Sequence, residues 1–168
     1  MRDRARQVAT LSVHLLASSA LLCVGGGAAL AQVEGAPRIV DGQTLEVAGR
    51  HFRLHGVVAP ALDQVCHRAG KPYPCGSVAR AVLWDLAAGR DVICTPAPGA
   101  GTSDDAAPGT CTAGGTNLNQ AMVESGWALA DRATADAYGA LEDAARAAGR
   151  GLWRSQFELP GAPRPPPE

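Results

Sequence analysis

The chain contains 168 residues, of which 46% are hydrophobic and 18% charged, and its formal net charge is −1 at pH 7. That length accommodates one compact domain. Proteins that bind nucleic acid strongly usually present a basic surface, because neutralised phosphates supply most of the affinity, and this chain has a single lysine, Lys71. Composition and charge therefore argue against strong nucleic-acid binding, although they allow a small basic pocket.

The N-terminal segment has the pattern of a secretion signal. Arg2, Arg4 and Arg6 provide a basic start, an apolar stretch follows, and the small-residue motif Ala29-Leu30-Ala31 ends the segment. This order is typical of a cleaved signal peptide. A retained membrane anchor is the alternative, and the A-x-A motif favours cleavage over it. We therefore predict an exported domain, periplasmic or secreted, that begins at Gln32 without membrane attachment.

Three short segments after the leader alternate apolar and polar residues, as half-buried strands do. They are Arg38–Val40, Thr44–Val47 and His51–His55. Side chains two residues apart in a strand share a face. In the third segment Arg53 therefore shares a face with the two histidines, opposite Phe52 and Leu54.

A first helix is predicted over Gly76–Ala88, followed by a short strand at Asp91–Cys94. Ser77 is the candidate N-cap of this helix and Gly89 its candidate stop. The apolar stripe consists of Val78, Val82, Leu83 and Leu86. The stretch Thr95–Thr110 is rich in Pro, Gly, Ala and Ser, which predicts a mobile loop that a strand around Cys111 closes.

Two more helices are predicted near the C-terminus. Asn117 is a candidate N-cap for a short helix that ends at Gly126, and Thr134 for a final helix that stops at Gly149. Their apolar residues are Leu118 and Met122, then Tyr138, Leu141, Ala145 and Ala148. We expect Trp153 to pack on the core. This element order predicts an α+β domain built on a small antiparallel barrel.

Four cysteines follow the leader, at Cys66, Cys75, Cys94 and Cys111. An even number in an exported chain is typical of disulfides. Three pairings are possible, and Cys66–Cys75 with Cys94–Cys111 is the one that closes two local loops. Zinc is disfavoured, because no pair has the C-x2-4-C spacing of zinc ligands.

The string IVDGQTLEVAGRHFRLHGVVAPALDQVC, with LNQAMVESGWALAD and AGRGLW farther along, resembles the staphylococcal nuclease-like (thermonuclease) family. The resemblance runs through residues 38–153 in the same order. It implies a five-stranded OB barrel with three α-helices over residues 32–156, between a leader at 1–31 and a Pro-rich tail at 157–168. Many exported members carry cysteines near these positions, which favours the two local disulfides.

Active members of that family are calcium-dependent phosphodiesterases that cut DNA and RNA. Carboxylates hold the cation, a glutamate activates water as general base, and two arginines clamp the phosphate. The family pattern places the first carboxylate in D-G-D-T and the first arginine on the third strand. A D-[AT]-P-E loop supplies the second carboxylate and the base, and a D-x-Y-G-R segment supplies the second arginine.

One of these positions is kept in this sequence. Gln43 stands where D-G-D-T has its metal carboxylate, and Arg53 keeps the strand arginine. Val58 replaces the metal aspartate of D-[AT]-P-E, and Ala61 replaces its glutamate. Residues 95–110 contain no arginine, lysine or tyrosine to supply the second clamp. The sequence therefore predicts no metal site, no cofactor and no hydrolysis, since a lost general base alone lowers a rate by about 10²–10⁴.

The resemblance therefore favours a pseudo-nuclease. Asp131 takes the place of a tyrosine that often contacts substrate in the family. We expect a binding role toward an unknown protein, peptide or small ligand, through the former active-site face and its apolar loop Val57–Leu62. A weak calcium-dependent nuclease is the alternative, and a structural role in a periplasmic assembly is a third hypothesis.

The remaining polar candidates have structural alternatives. Asp41 and Asp63 could contribute to a rebuilt site, but turn capping is favoured for both. Asp104 and Asp105 are interpreted as solvated charges in the predicted loop. For His55, a bond to backbone or carboxylate is favoured over catalysis, and for Arg53, pairing with an acid or carbonyl is favoured over anion binding.

Overall fold

Residues 32–100, 106–134 and 136–157 are described by the structure, a computed structural model of the chain. The predicted signal segment, Asp104–Asp105 and the tail from residue 158 onward lie outside the described residues. Among the helices that are described, none has the length and apolar character needed to cross a bilayer.

The described chain forms three α-helices and eleven short strands. The helices are α1 (Cys75–Ala87), α2 (Leu118–Glu124) and α3 (Gly139–Ala147), and 3₁₀ turns cover Asp136–Tyr138 and Gly151–Arg154. The strands are β1 (Val33–Gly35), β2 (Pro37–Ile39), β3 (Thr44–Val47), β4 (Arg50–Leu54), β5 (Val57–Val58), β6 (Cys66–Arg68), β7 (Lys71–Tyr73), β8 (Val92–Pro96), β9 (Ala107–Ala113), β10 (Thr116–Asn117) and β11 (Leu129–Ala130).

Seven strands form one mixed sheet in the order β1-β8-β9-β4-β3-β2, with β10 added to β9. β4 and β9 run parallel, and the other pairs are antiparallel. No ladder among the described residues joins the edge strands β1 and β2, so the sheet does not close. The α+β class with three helices is confirmed, whereas the prediction of a five-stranded barrel is wrong in strand number and in closure.

The additional strands are too short for the sequence pattern to reveal. β5, β10 and β11 have two residues each, and apolar alternation becomes recognisable only over about four residues. The N-terminal segment also divides at Ala36. β1, which the sequence did not predict, pairs with β8, whereas β2 overlaps the predicted strand Arg38–Val40 and pairs with β3. These two strands form the open edges of the sheet.

A tight turn at Ala48 and Gly49 sets the register of β3 and β4. Both residues have positive φ, 48° and 77°, as two-residue hairpin turns require. Val47 therefore pairs with Arg50, and Thr44 with Arg53. This register buries Phe52 and leaves Arg53 exposed, as the alternation predicts.

Helix α1 is rotated relative to its predicted stripe. Its fully buried side chains include Ala79, Leu83 and Ala87, because small alanines let the helix approach the core closely. The predicted cap is also wrong. Pro74 occupies the N-cap position, and the Ser77 hydroxyl donates to the Leu62 carbonyl at 3.4 Å.

Both ends of the predicted loop Thr95–Thr110 belong to strands. β8 extends through Pro96 and β9 begins at Ala107, so Thr95 pairs with Thr110 and Pro96 with Gly109. The ladder bonds of this antiparallel pair outweigh the low strand propensity of proline and glycine. Both local disulfides are confirmed, and Cys94 and Cys111 are themselves paired across the two strands.

The C-terminal elements agree with the sequence except at the last helix start. Asn117 caps α2 by accepting from the Gln120 N–H. Thr134 does not cap α3, because its hydroxyl donates to Asp131 and a 3₁₀ turn precedes the helix. Trp153 packs against a second apolar cluster, as predicted. That cluster includes Leu129, Leu152 and the Cys66–Cys75 disulfide.

Candidate functional site

Gln43 lies where the turn before β3 meets the end of β4. The Leu54 N–H donates to the Gln43 carbonyl at 2.8 Å. The side chain of Gln43 reaches in the other direction, and its Oε1 accepts from the Ala59 N–H at 2.9 Å. Gln43 therefore connects the turn to the segment that follows β5.

Asp41 caps the same turn. Its Oδ1 accepts from the N–H groups of Gln43 at 2.8 Å and Thr44 at 2.7 Å. This is an Asx turn, in which the carboxylate satisfies the backbone donors of the next residues. The turn-capping alternative for Asp41 is thus what the geometry shows.

The apolar run Val57–Leu62 is largely buried and does not form an open loop. Val57, Ala59 and Pro60 are buried, and β5 pairs with β11, Val58 opposite Leu129. Leu62 is 42% exposed. The expectation that this run forms an apolar surface for a ligand is wrong, because strand pairing and core packing bury most of its residues.

Two glycines explain how the run is held. A Cβ on Gly42 would lie 2.8 Å from the Ala79 Cβ and 2.9 Å from the Ala59 Cβ. A Cβ on Gly76 would overlap the carbonyl oxygens of Ala61 and Leu62. The run is therefore fixed against the turn and against the first turn of α1.

Arg53 projects from β4 into solvent. Its guanidinium makes no hydrogen bond or ion pair with another described residue, so the predicted pairing with an acid or carbonyl is not observed there. On the same face, His51 Nε2 lies 3.7 Å from Glu46 Oε2. Glu46 also accepts from Arg38 Nε at 2.7 Å.

His55 is held through its backbone, and the partner predicted for its imidazole ring stays a prediction. Its N–H donates to the Gly109 carbonyl at 2.9 Å, and its own carbonyl accepts from Asn119. Asp131 lies close enough for His55 to act on it electrostatically. A hydrogen bond from Thr134 is the main cause that lowers the pKa of Asp131, with backbone N–H groups and His55 adding to it. Asp63 lies exposed beyond Ala61.

Sequence reasoning missed Asn119, which is fully buried in α2. Its Oδ1 accepts from the Cys111 N–H, and its Nδ2 donates to the carbonyls of His55 and Gly109, each at 3.0 Å. The sequence signal that could have revealed it is a polar residue directly after the apolar Leu118. Asn119 ties α2 to the parallel pair of β4 and β9, so its role is positional.

The side chains at this site do not fit the calcium ion that active family members bind. Ca²⁺ takes about six to eight oxygen ligands, usually with several carboxylates. At the corresponding positions the chain offers the Gln43 amide oxygen, which already accepts from Ala59, and the hydrocarbon side chains of Val58 and Ala61. Within the described ranges, no group of three His, Cys, Asp or Glu residues is arranged to hold a metal ion.

Comparison with known proteins identifies a family and a relative. Residues 51–155 match the family described as Staphylococcal nuclease homologue. The chain is also 34% identical over 145 residues to the "Succinoglycan biosynthesis protein ExoI" of Rhizobium meliloti (strain 1021). That alignment covers 83% of this chain and 74% of the relative.

Proposed function

The chain belongs to the staphylococcal nuclease homologue family, and on that premise we propose that it is an exported member without hydrolytic activity. In this proposal it serves as a binding or accessory component in the synthesis of an extracellular polysaccharide. The name of the relative, a succinoglycan biosynthesis protein, supports the second part.

The main observation that supports the proposal is the hydrogen bond from the Ala59 N–H to Gln43 Oε1. It joins two segments whose family counterparts bear the two metal carboxylates. The amide oxygen is already engaged, and Val58 and Ala61 have no oxygen to add. A neutral hydrogen bond thus takes the place of a cation site.

Rate arguments point the same way. A general base accelerates a reaction by a factor of about 10²–10⁴, and each electrostatic donor at the transition state by a factor of about 10²–10³. Ala61 cannot act as a base, and the exposed Arg53 would be the single remaining clamp. What Arg53 can still do is attract an anion, which is the observation that favours weak nuclease activity as the second candidate.

Export is supported by the chemistry of the cysteines. Both disulfides lie in the described fold, and such bonds persist in oxidising compartments. The partner we propose is therefore extracytoplasmic, a protein or a saccharide, with nucleic acid disfavoured by the near-neutral charge of the chain.

The first test measures hydrolysis of single-stranded DNA and RNA by the oxidised chain without residues 1–31, in calcium and in chelator. We expect equal rates in the two conditions, because no carboxylate or base remains to use the cation. An active family member serves as the positive control. Arg53→Ala is the matched variant, and calcium-dependent turnover that falls in this variant would establish the weak nuclease instead.

A second prediction reverses the three replacements. Gln43→Asp, Val58→Asp and Ala61→Glu together are expected to create calcium binding with a dissociation constant of about 10⁻³ M or tighter, because they restore three carboxylates at one place. Isothermal calorimetry measures the uptake. Gln43→Asp alone is the control and should take up no measurable calcium. If the triple variant folds and binds none, the correspondence of these positions with the family site is wrong.

A further inference from the structure

Trp84 is the most exposed of the large hydrophobic residues that the structure describes. Its exposure is 59%, compared with 42% for Leu62 and 53% for Val65. It lies on the outer side of α1, opposite the buried Ala79 and Leu83. A tryptophan offers a flat apolar face and a polar N–H, a combination that is common at binding surfaces.

A groove lies on each side of this ring. One has a volume of about 330 Å³ and is lined by Trp84, Pro37, Arg90 and Asp91, among others. The other, of about 220 Å³, is lined by Trp84 together with Ser77, Arg80 and Ala81. Trp84 is common to both, so the ring stands between two adjoining depressions. A linear ligand could cross it and occupy both.

The lining of the grooves indicates what such a ligand would be. Beside the flat ring stand small alanines and side chains that form hydrogen bonds in a plane, above all Arg80, Arg90 and Asp91. Asp91 stands beside Arg90, so the lining is not a uniformly basic stripe for a nucleic-acid backbone. The apolar surface of one ring among alanines is also far smaller than the roughly 800 Å² of surface that each partner buries in a stable protein complex.

A sugar ring fits this combination. A pyranose presents a face of C–H groups to an aromatic ring and a rim of hydroxyls to planar donors and acceptors. Arg90 is held in place because its Nη1 donates to the Leu86 carbonyl at 3.1 Å. The side chain of Arg80 makes no hydrogen bond or ion pair with another described residue and keeps its donors available.

The support beneath the ring is rigid. Leu83, next to Trp84, is fully buried in the core, and the Cys66–Cys75 disulfide holds the start of α1. A platform that is ordered before binding loses little conformational freedom when a ligand arrives.

We propose that the outer face of α1 binds a saccharide chain, with one sugar ring stacked on Trp84 and its neighbours in the two grooves. This inference rests on the proposed role in polysaccharide synthesis, but it concerns a surface away from the positions of Gln43, Val58 and Ala61.

The test is affinity electrophoresis of the folded, oxidised chain in native gels that contain succinoglycan or a neutral β-glucan. We expect at least one polymer to retard the chain. Trp84→Ala should raise the dissociation constant at least about tenfold, the change that corresponds to losing one stacking contact. Trp84→Phe keeps a ring and should retain part of the retardation. Val65→Ala, which shortens another exposed apolar side chain, should migrate as the parent does.

A second measurement needs no variant. Trp84 is more exposed than the half-buried Trp127 and Trp153, so acrylamide quenches its fluorescence first. The polymer that retards the chain should protect this fraction. The inference is overturned if neither polymer retards the chain, if Trp84→Ala is retarded equally, or if quenching is unchanged. None of these results bears on hydrolysis, which tests the proposed function separately.

Discussion

Asn119→Ala is expected to lower the free energy of unfolding by about 3–5 kcal/mol, the largest single-residue effect we predict, because each unpaired buried polar group costs about 1–3 kcal/mol. The side chain is fully buried and bonds the Cys111 N–H and the carbonyls of His55 and Gly109. Gly109 keeps a second partner, the His55 N–H. The other two groups lose the Asn119 bond.

Urea unfolding followed by tryptophan fluorescence measures this loss, with both disulfides kept oxidised. Asn117→Ala is the matched control, since it removes the same side chain two residues earlier and affects one exposed capping bond. Its expected cost is about 1 kcal/mol. Equal losses in the two variants would contradict the role we assign to Asn119.

Removing the Cys94–Cys111 disulfide, as Cys94→Ala with Cys111→Ala, is expected to cost about 3–5 kcal/mol. Closure of a loop of this size contributes roughly 3 kcal/mol in the chain-entropy model. Both cysteines are also fully buried in the main core cluster, so their replacement leaves unfilled volume that adds to the loss.

The second disulfide provides the comparison. Cys66 and Cys75 are nine residues apart, against seventeen for Cys94 and Cys111, and loop entropy alone separates them by only about 0.5 kcal/mol. Cys66 and Cys75 belong to the smaller apolar cluster. We therefore expect Cys66→Ala with Cys75→Ala to lower the urea midpoint less. The reverse order would show that core burial does not govern these two bonds.

The elements that the sequence predicted well are those with a long or chemically marked pattern. Helix α2 was recognisable from Asn117 and Gly126, and the hairpin of β3 and β4 from its alternation around Ala48 and Gly49. The missed elements depend on distant partners. β5 exists because Leu129 and Ala130 come to lie beside it, and a two-residue strand carries no periodicity that could announce this pairing.

The candidate site divides in the same way. The sequence motif alone shows that Gln43, Val58 and Ala61 stand at the three positions where active family members have carboxylates. The hydrogen bond between Gln43 and Ala59 joins residues sixteen positions apart, and only the folded chain shows it. Trp84 stands outside the apolar stripe predicted for α1, but its exposure is known only from the fold. Its two adjoining grooves depend on Pro37 and Arg90, which the sequence alone does not place beside it.

His67 and Gln156 form an isolated antiparallel β-bridge, and this bridge has a mechanical consequence. Each residue donates its N–H to the carbonyl of the other, at 2.9 and 2.8 Å, and Tyr73 and Ser155 share a further hydrogen bond at 2.7 Å. A pull on the chain beyond Phe157 would therefore load the β6–β7 hairpin first, and the covalent loop of Cys66 and Cys75 would carry the force. The large sheet would be spared until those contacts had separated.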